Sequence, residues 1–306
     1  MVKLIRAKEN PILIPSDLLW ENMLVFNPGA IIVEEEVYLI YRAMGKNDPI
    51  SRLGLATSRD GIHFERKKEP LYSGGGHPAE SLGIEDARIV KIEDTYYLTY
   101  TAVSEEFRKE DVYPTKENIA KKPRIALSTT KDFKTFVDYD VIIPNLLGKN
   151  GSFFPKKTNG EYWLLFREGV GKTYFAKSKN LTDWQDAKPI FEKRPNLWDS
   201  SRSGIGSPPI ETEKGWLLFY HGFDQTHKYG LGIMFLNLQN PLKILYRSPE
   251  PILEPVEDYE KYGYVNNVVF TCGAVEKDGL YYVYYGAADC VIGVATVEKK
   301  LVLNLF

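Results

Sequence analysis

The sequence predicts an all-β fold, a five-bladed β-propeller, and three observations carry that reading. One short hairpin pattern occurs five times along the 306 residues. A further strand follows each hairpin, so that a unit of three or four strands recurs at roughly 60-residue spacing, the signature of propeller blades. The chain also holds 20 Tyr, 15 Phe and 5 Trp, residues that suit a pleated, half-buried surface.

Taken in order, the central hairpin strands read VYLIYRA (37–43), YYLTYTA (96–102), YWLLFRE (162–168), WLLFYHG (216–222) and YYVYYGA (281–287). Each follows a turn rich in Gly, Asp, Asn or Lys, and before each turn lies another short apolar strand: GAIIVE, ARIVKI, SFFPKK, PPIET and CGAVEK. Strand, polar turn, strand is a hairpin. The third strands are RLGLATS (52–58), RIALSTT (124–130), TYFAKSK (173–179), LGIMFLN (231–237) and VIGVATV (291–297). Three of them run into related turns, SRDGIHF, TKDFKTF and SKNLTDW. Long amphipathic helices are hard to find; the best candidate, residues 105–122, is interrupted by Pro114. A pair of β-sandwiches is the competing architecture, but sandwiches seldom repeat one hairpin so regularly. One propeller domain over residues 1–306 is the expectation.

Composition narrows the function. A formal net charge of −2 and an isoelectric point near 6.2 argue against a bulk nucleic-acid binder or a membrane-surface protein. No apolar run approaches the roughly 20 residues that span a bilayer. The opening MVKLIRAKENPILIP lacks the pattern of a signal peptide, so a cytoplasmic protein is expected. Cys272 and Cys290, the only cysteines, read as two buried thiols rather than a bridge.

In a propeller the innermost strands converge on a central channel, so polar residues at one end of them share a funnel. The strand starts supply Asn27, Glu85, Asp86 and Asn267; the ends of the hairpin partners supply Arg42, Thr101, Arg167 and His221. Asp86 either pairs with Arg88 and caps a turn, or is a carboxyl held protonated as a general acid. The cations Arg42, Arg52, Arg124, Lys157 and Arg167, with His221, would repel one another around a funnel unless an anion sat there; Arg forks and a Lys point charge suit phosphate. Asp289, in YYGAADCVIGVA, reads as a turn former or as an acceptor for sugar hydroxyls. The four histidines are scattered, no metal-ligand spacing occurs, and the run SGGGHPAES (73–81) fits no nucleotide-binding pattern. It reads as a flexible loop beside Asp86. SRSGIGSPP (201–209) lacks the order of a nucleophile elbow.

GIEDARIV, SRLGLATSRDGIHF, NGSFFPKK, LLFYHG and NNVVFTCGAVEKDGLYYVYYGAADCVIGVAT together resemble glycoside hydrolase family 130, over Asn27 to Thr296. That family comprises β-mannoside phosphorylases and some β-mannosidases on a five-bladed propeller. The resemblance implies that Asp86 is the single catalytic acid. It implies phosphate-binding roles for Arg124, Lys157 (beside Lys156 in FFPKK) and His221, with Arg52 and Tyr229 nearby. Asn27 and Asp289 would line the mannosyl subsite. The implied reaction is inverting phosphorolysis of a β-mannoside, with inorganic phosphate as co-substrate and no cofactor. In that family the proton passes through a hydroxyl of the mannosyl ring. An inverting hydrolase would instead need a second carboxylate about 6.5–9.5 Å away as base, for which Glu168 or Glu85 would serve, and a non-catalytic sugar-binding propeller is the reading from another class. Linkage, acceptor and oligomeric state are not legible, and a homo-oligomer is compatible with the sequence.

Overall fold

The computed structural model describes residues 2–48, 50–74, 76–107, 119–169 and 171–306. Five antiparallel sheets stand in a ring, with the innermost strands of consecutive blades side by side and the fifth beside the first. The inner strands are Leu24–Val33, Ile84–Ile92, Gly148–Phe153, Arg202–Ile205 and Val269–Lys277. Each pairs with a predicted hairpin strand, which pairs in turn with a predicted third strand. Blades 1 to 4 add an outer strand that carried no distinct sequence signal: Glu65–Arg66, Phe136–Val141, Gln185–Phe191 and Ile244–Arg247. In the fourth blade Ile210–Thr212 continues the inner edge after a break at the two prolines.

The fifth blade takes its outer strand from the other end of the chain. Ile5–Arg6 pairs with the strand Val291–Glu298, placing Arg6 opposite Ala295, so backbone hydrogen bonds close the ring. Arg6 also reaches a short helix, Asp258–Lys261, where Nε and Nη2 each donate to Glu260 at 2.8 Å. Glu260 is fully buried and accepts further from Tyr285 and from the backbone of Val256 and Glu257. Removing one partner of a buried ion pair leaves the other charge uncompensated, so Arg6→Ala is expected to cost about 3 kcal/mol. Denaturant unfolding checks this; an unchanged midpoint would show that the clasp contributes nothing.

Apolar packing lies between blades rather than in one central mass. Five clusters fill the five seams: Leu53 with Tyr100, Tyr97 with Phe153, Trp163 with Trp216, Phe219 with Tyr281, and Tyr284 with Tyr41. Around the channel the strands approach closely. A Cβ on Gly273 would lie 2.2 Å from the backbone nitrogen of Ala30, so only glycine fits there. Within 105–122, Thr95–Phe107 and Ile119–Thr130 are paired strands, and residues 108–118 lie outside the described residues. That hairpin simply extends, correcting the helix candidate at both of its ends. Both cysteines are free thiols; Cys272 is buried and Cys290 only partly so.

The inner strands also begin several residues earlier than expected. Phe26-Asn27-Pro28-Gly29, Glu85-Asp86-Ala87-Arg88 and Lys149-Asn150-Gly151-Ser152 precede or open the strands read from sequence, yet each is a register shift inside a strand. The extra residue sits at positive φ: 49° at Asn27, 53° at Asp86 and 58° at Asn150. Asn and Asp tolerate this left-handed backbone better than other side-chain-bearing residues, and a bulge re-aims its side chain. Three blades thus turn one polar side chain each into the same end of the channel.

Candidate active site

That end opens into a cavity of about 360 Å³. Asn27, Arg42, Asp86, Arg167, His221, Tyr229 and Asp289 all line it, so seven of the sequence-predicted residues come together.

On one wall Asp86 is nearly buried, 7% exposed. Asn27 Nδ2 donates to its Oδ1 at 2.9 Å, and Arg42 Nη1 lies 3.5 Å from the same oxygen. Lys149, at the cavity edge, completes the charge around it. Burial alone would push the Asp86 carboxyl up. Arg42, then Lys149, Asn27 and Arg88 more than offset that and hold it below the ordinary carboxylate range. The surroundings thus favour the ionised form: Asp86 is an anion among cations rather than a carboxyl held protonated by burial. Arg88 is not its ion-pair partner. Fully buried, it spends its guanidinium on the carbonyls of Asp86, Ile205 and Gly206, tying blade 2 to blade 4.

Asp289 behaves oppositely. It occupies a positive-φ turn between two strands of the fifth blade, and burial, then the Asp86 charge, pushes its carboxyl up to about 6. Between about pH 4 and pH 6 the folded state therefore binds more protons than the unfolded chain. The contribution of Asp289 to stability falls as pH rises through that window and remains a penalty above it. Asp289→Asn, which keeps the backbone conformation, is expected to raise stability at pH 8 by about 1–2 kcal/mol, less than the full shift implies because Asp289 is partly open to the cavity. At pH 4 the gain should vanish; a gain equal at both pH values would contradict the assignment.

The opposite wall is cationic. Arg167 Nε donates to Asn150 Oδ1 at 2.9 Å. Burial, then the neighbouring Arg202, drops the Arg167 guanidinium to about 10. Among the described residues neither Arg167 nor Arg202 has a carboxylate within 4.0 Å. His221 is buried, and burial, then Arg167, Arg88 and Arg202, hold its ring well below its ordinary value, so it is neutral. Its Nδ1 has no partner among the described residues. Gly204 makes the convergence possible: a Cβ there would lie 2.7 Å from His221 Nε2 and 3.0 Å from both Arg167 Cδ and Asn150 Oδ1. Tyr229 completes this wall.

Six expected site residues fall elsewhere or are otherwise engaged. Lys157 lies past the far end of its strand, pairing with Glu93 at 3.4 Å and stacking on Tyr162; the hairpin carries it away from the cavity. Arg52 pairs with Asp48 at 2.5 Å and does not line the cavity. Arg124 does not line it either; the strand alternates, and its neighbour Pro123 does. Glu85 is 7% exposed, holds Arg42 and Lys149 through its two oxygens, and does not line the cavity. Asn267 is exposed and Thr101 is buried in the strand opposite Glu85. None of the described residues of the segment 73–81 lines the cavity; its Pro78–Glu80 turn buries Glu80 against Tyr100.

Sequence reasoning missed Lys149, Asn150 and Arg202. A signal existed for Asn150, since KNGS places an Asx before a small residue as FNPG and EDAR do at the same place in the blade. Among the described residues no cluster of three His, Cys, Asp or Glu could hold a metal, and no helix is long and apolar enough to cross a membrane.

The chain is similar to known proteins over nearly its whole length. A 1,2-β-oligomannan phosphorylase of Thermoanaerobacter sp. (strain X514) is 43% identical over 311 residues, covering 98% of this chain and 99% of that one. The solved structure of β-1,2-mannobiose phosphorylase from Listeria innocua, in complex with β-1,2-mannobiose, has a TM-score of 0.83 at 29% identity, covering 98% of each chain. A second solved structure, reported with glycoside hydrolases that target β-1,2 mannosidic linkages in Candida mannan, has a TM-score of 0.84 at 28% identity, covering 98% of this chain and 94% of that one. The model of glycoside hydrolase family 130, described as β-1,4-mannooligosaccharide phosphorylase, matches residues 12–306, and the chain belongs to that family.

Proposed function

We propose that the protein cleaves a β-1,2-linked mannoside by inverting phosphorolysis, giving α-mannose 1-phosphate and a sugar shortened by one unit. One observation carries this reading: among the described residues two guanidiniums, Arg167 and Arg202, stand in the cavity without a carboxylate, beside a neutral His221 with an unpartnered nitrogen. Such a wall needs an anion, and inorganic phosphate fits its Arg forks. It also offers no carboxylate base to activate water, because among the described residues Asp86 and Asp289 are the carboxylates lining the cavity. Both belong to the other wall. The hydrolase reading is therefore the weaker one, and Glu85, tied to two cations, is not its base.

In this reading the mannosyl ring lies between the walls, with hydroxyls toward Asn27 and Asp289. Among the described residues the buried amide oxygen of Asn27 lacks a partner, and it suits a hydroxyl donor. A phosphate oxygen attacks the anomeric carbon while the bond to the departing oxygen breaks. Asp86 supplies the proton to that oxygen by way of a ring hydroxyl, as in the resembled family. Phosphate bound on the far wall offsets the cations that keep Asp86 ionised, and so lets the carboxyl take up the proton it must give. The balance closes: the proton that hydrogen phosphate loses on becoming the ester replaces the one that leaves with the sugar. Positioning and charge stabilisation do most of the remaining catalysis.

The β-1,2 linkage rests on the relatives above. Incubation with β-1,2- and β-1,4-mannobiose plus phosphate, followed by NMR of the products, tests both points. α-Mannose 1-phosphate from the β-1,2 sugar is expected. The same product from the β-1,4 sugar alone would overturn the linkage, and free mannose alone would overturn phosphorolysis.

A further inference from the structure

We propose that Glu85 is a positioning residue that balances the cations around Asp86 and so keeps that carboxyl able to carry a proton. The inference rests on the phosphorolytic reading for the step that Asp86 performs, but its geometry is independent of the nucleophile.

Glu85 precedes the bulged Asp86 on the inner strand of the second blade. Its Oε1 accepts from Arg42 Nη2 of the first blade at 2.8 Å, and its Oε2 accepts from Lys149 Nζ of the third blade, also at 2.8 Å. One carboxylate thus bridges three blades directly beside the acid. Arg42 is fixed on other sides too: Nε donates to Ser51 Oγ at 3.1 Å, and the guanidinium lies over the Phe26 ring, 4.7 Å from its centroid. Among the described residues Lys149 has no other ion-pair partner, so Glu85 decides where its charge stands.

The groups around Asp86 can be named blade by blade. The first blade contributes Asn27 and Arg42, its own strand Glu85 and Arg88, the third Lys149 with Arg167 beyond it, and the fifth Asp289 and Cys272. Arg42, Lys149 and Arg88 all favour the anion. Without the negative charge of Glu85, Asp86 faces that cluster unbalanced and releases its proton at lower pH. Glu85 also touches no cavity volume through a free oxygen, so its effect must run through its neighbours.

The test compares the alkaline limb of kcat against pH at saturating sugar and phosphate, where the limb reports groups in the bound complex. Glu85→Gln, of the same shape, is expected to move the limb about one pH unit down, with kcat at pH 7 about tenfold lower and activity recovering toward acid pH. Lys149→Met removes a cation instead and is expected to move the limb up. Limbs that stay put in both variants, or that move the same way, would overturn the proposal, as would losses that merely track the folded fraction measured by circular dichroism. If the wild-type protein turned over equally well without phosphate, phosphorolysis would fail, while the same comparison with water as acceptor would still decide the role of Glu85.

Discussion

Asp86→Asn is expected to lower kcat/KM about 10³-fold, the middle of the range that a general acid contributes. The substitution isolates the proton from the architecture. Asn accepts the 53° φ of the bulge, as Asn27 and Asn150 do at the same place in neighbouring blades. It also keeps an oxygen for the Asn27 amide and for Arg42, which now hold Asp86 at 2.9 Å and 3.5 Å. The affinity for sugar should change little, and the thermal unfolding curve should remain cooperative. Steady-state kinetics with a mannoside and phosphate provides the measurement. A variant retaining more than about a tenth of the wild-type rate would remove Asp86 as the acid.

Arg202→Met is expected to raise the apparent KM for phosphate about 100-fold, as when one charged donor to a developing or bound anion is lost. Arg202 sits at the start of the fourth inner strand, over the Phe223 ring with 5.3 Å to its centroid, and carries no carboxylate among the described residues. Met keeps much of the apolar stem against that ring. The loss should therefore fall on the anion and leave the fold and the KM for sugar near their wild-type values. Initial rates over a phosphate series at fixed sugar measure it. An unchanged KM for phosphate, with a raised KM for sugar, would move Arg202 to the sugar side and dismantle the two-wall arrangement.

How much of this was legible in the chain depends on which signal each residue sends. The hairpins were plain because an aromatic, β-branched strand bounded by turn residues has few other readings, and the third strands follow the observed ones closely: Arg52–Ser58, Thr173–Ser178 and Val291–Glu298. The beginnings of the inner strands were hidden by their chemistry. Asn-Pro-Gly and Asn-Gly write turn text even where the chain stays in a sheet, because a bulge needs the same left-handed backbone as a turn. Asn150 and Lys149 vanished behind that ambiguity. Lys157 was misplaced for a geometric reason. Gly148–Phe153 runs away from the cavity, and at about 3.3 Å per residue Phe153 is already roughly 13 Å further along than Lys149, with Lys157 past the end of the strand. Arg124 shows the finer limit, where alternation along a strand separates it from Pro123, which does reach the cavity. Glu85 was placed rightly by position and wrongly by role, since nothing in the sequence tells that Arg42 and Lys149 arrive from two other blades to occupy both of its oxygens.

The dependence of the cleavage rate on inorganic phosphate, measured with β-1,2-mannobiose from zero to saturating phosphate, tests most directly whether the cationic wall holds the nucleophile. The expected curve is saturable and starts near zero, with sugar phosphate formed mole for mole with the released sugar. A rate already maximal in the absence of phosphate would contradict it and assign the cavity to hydrolysis.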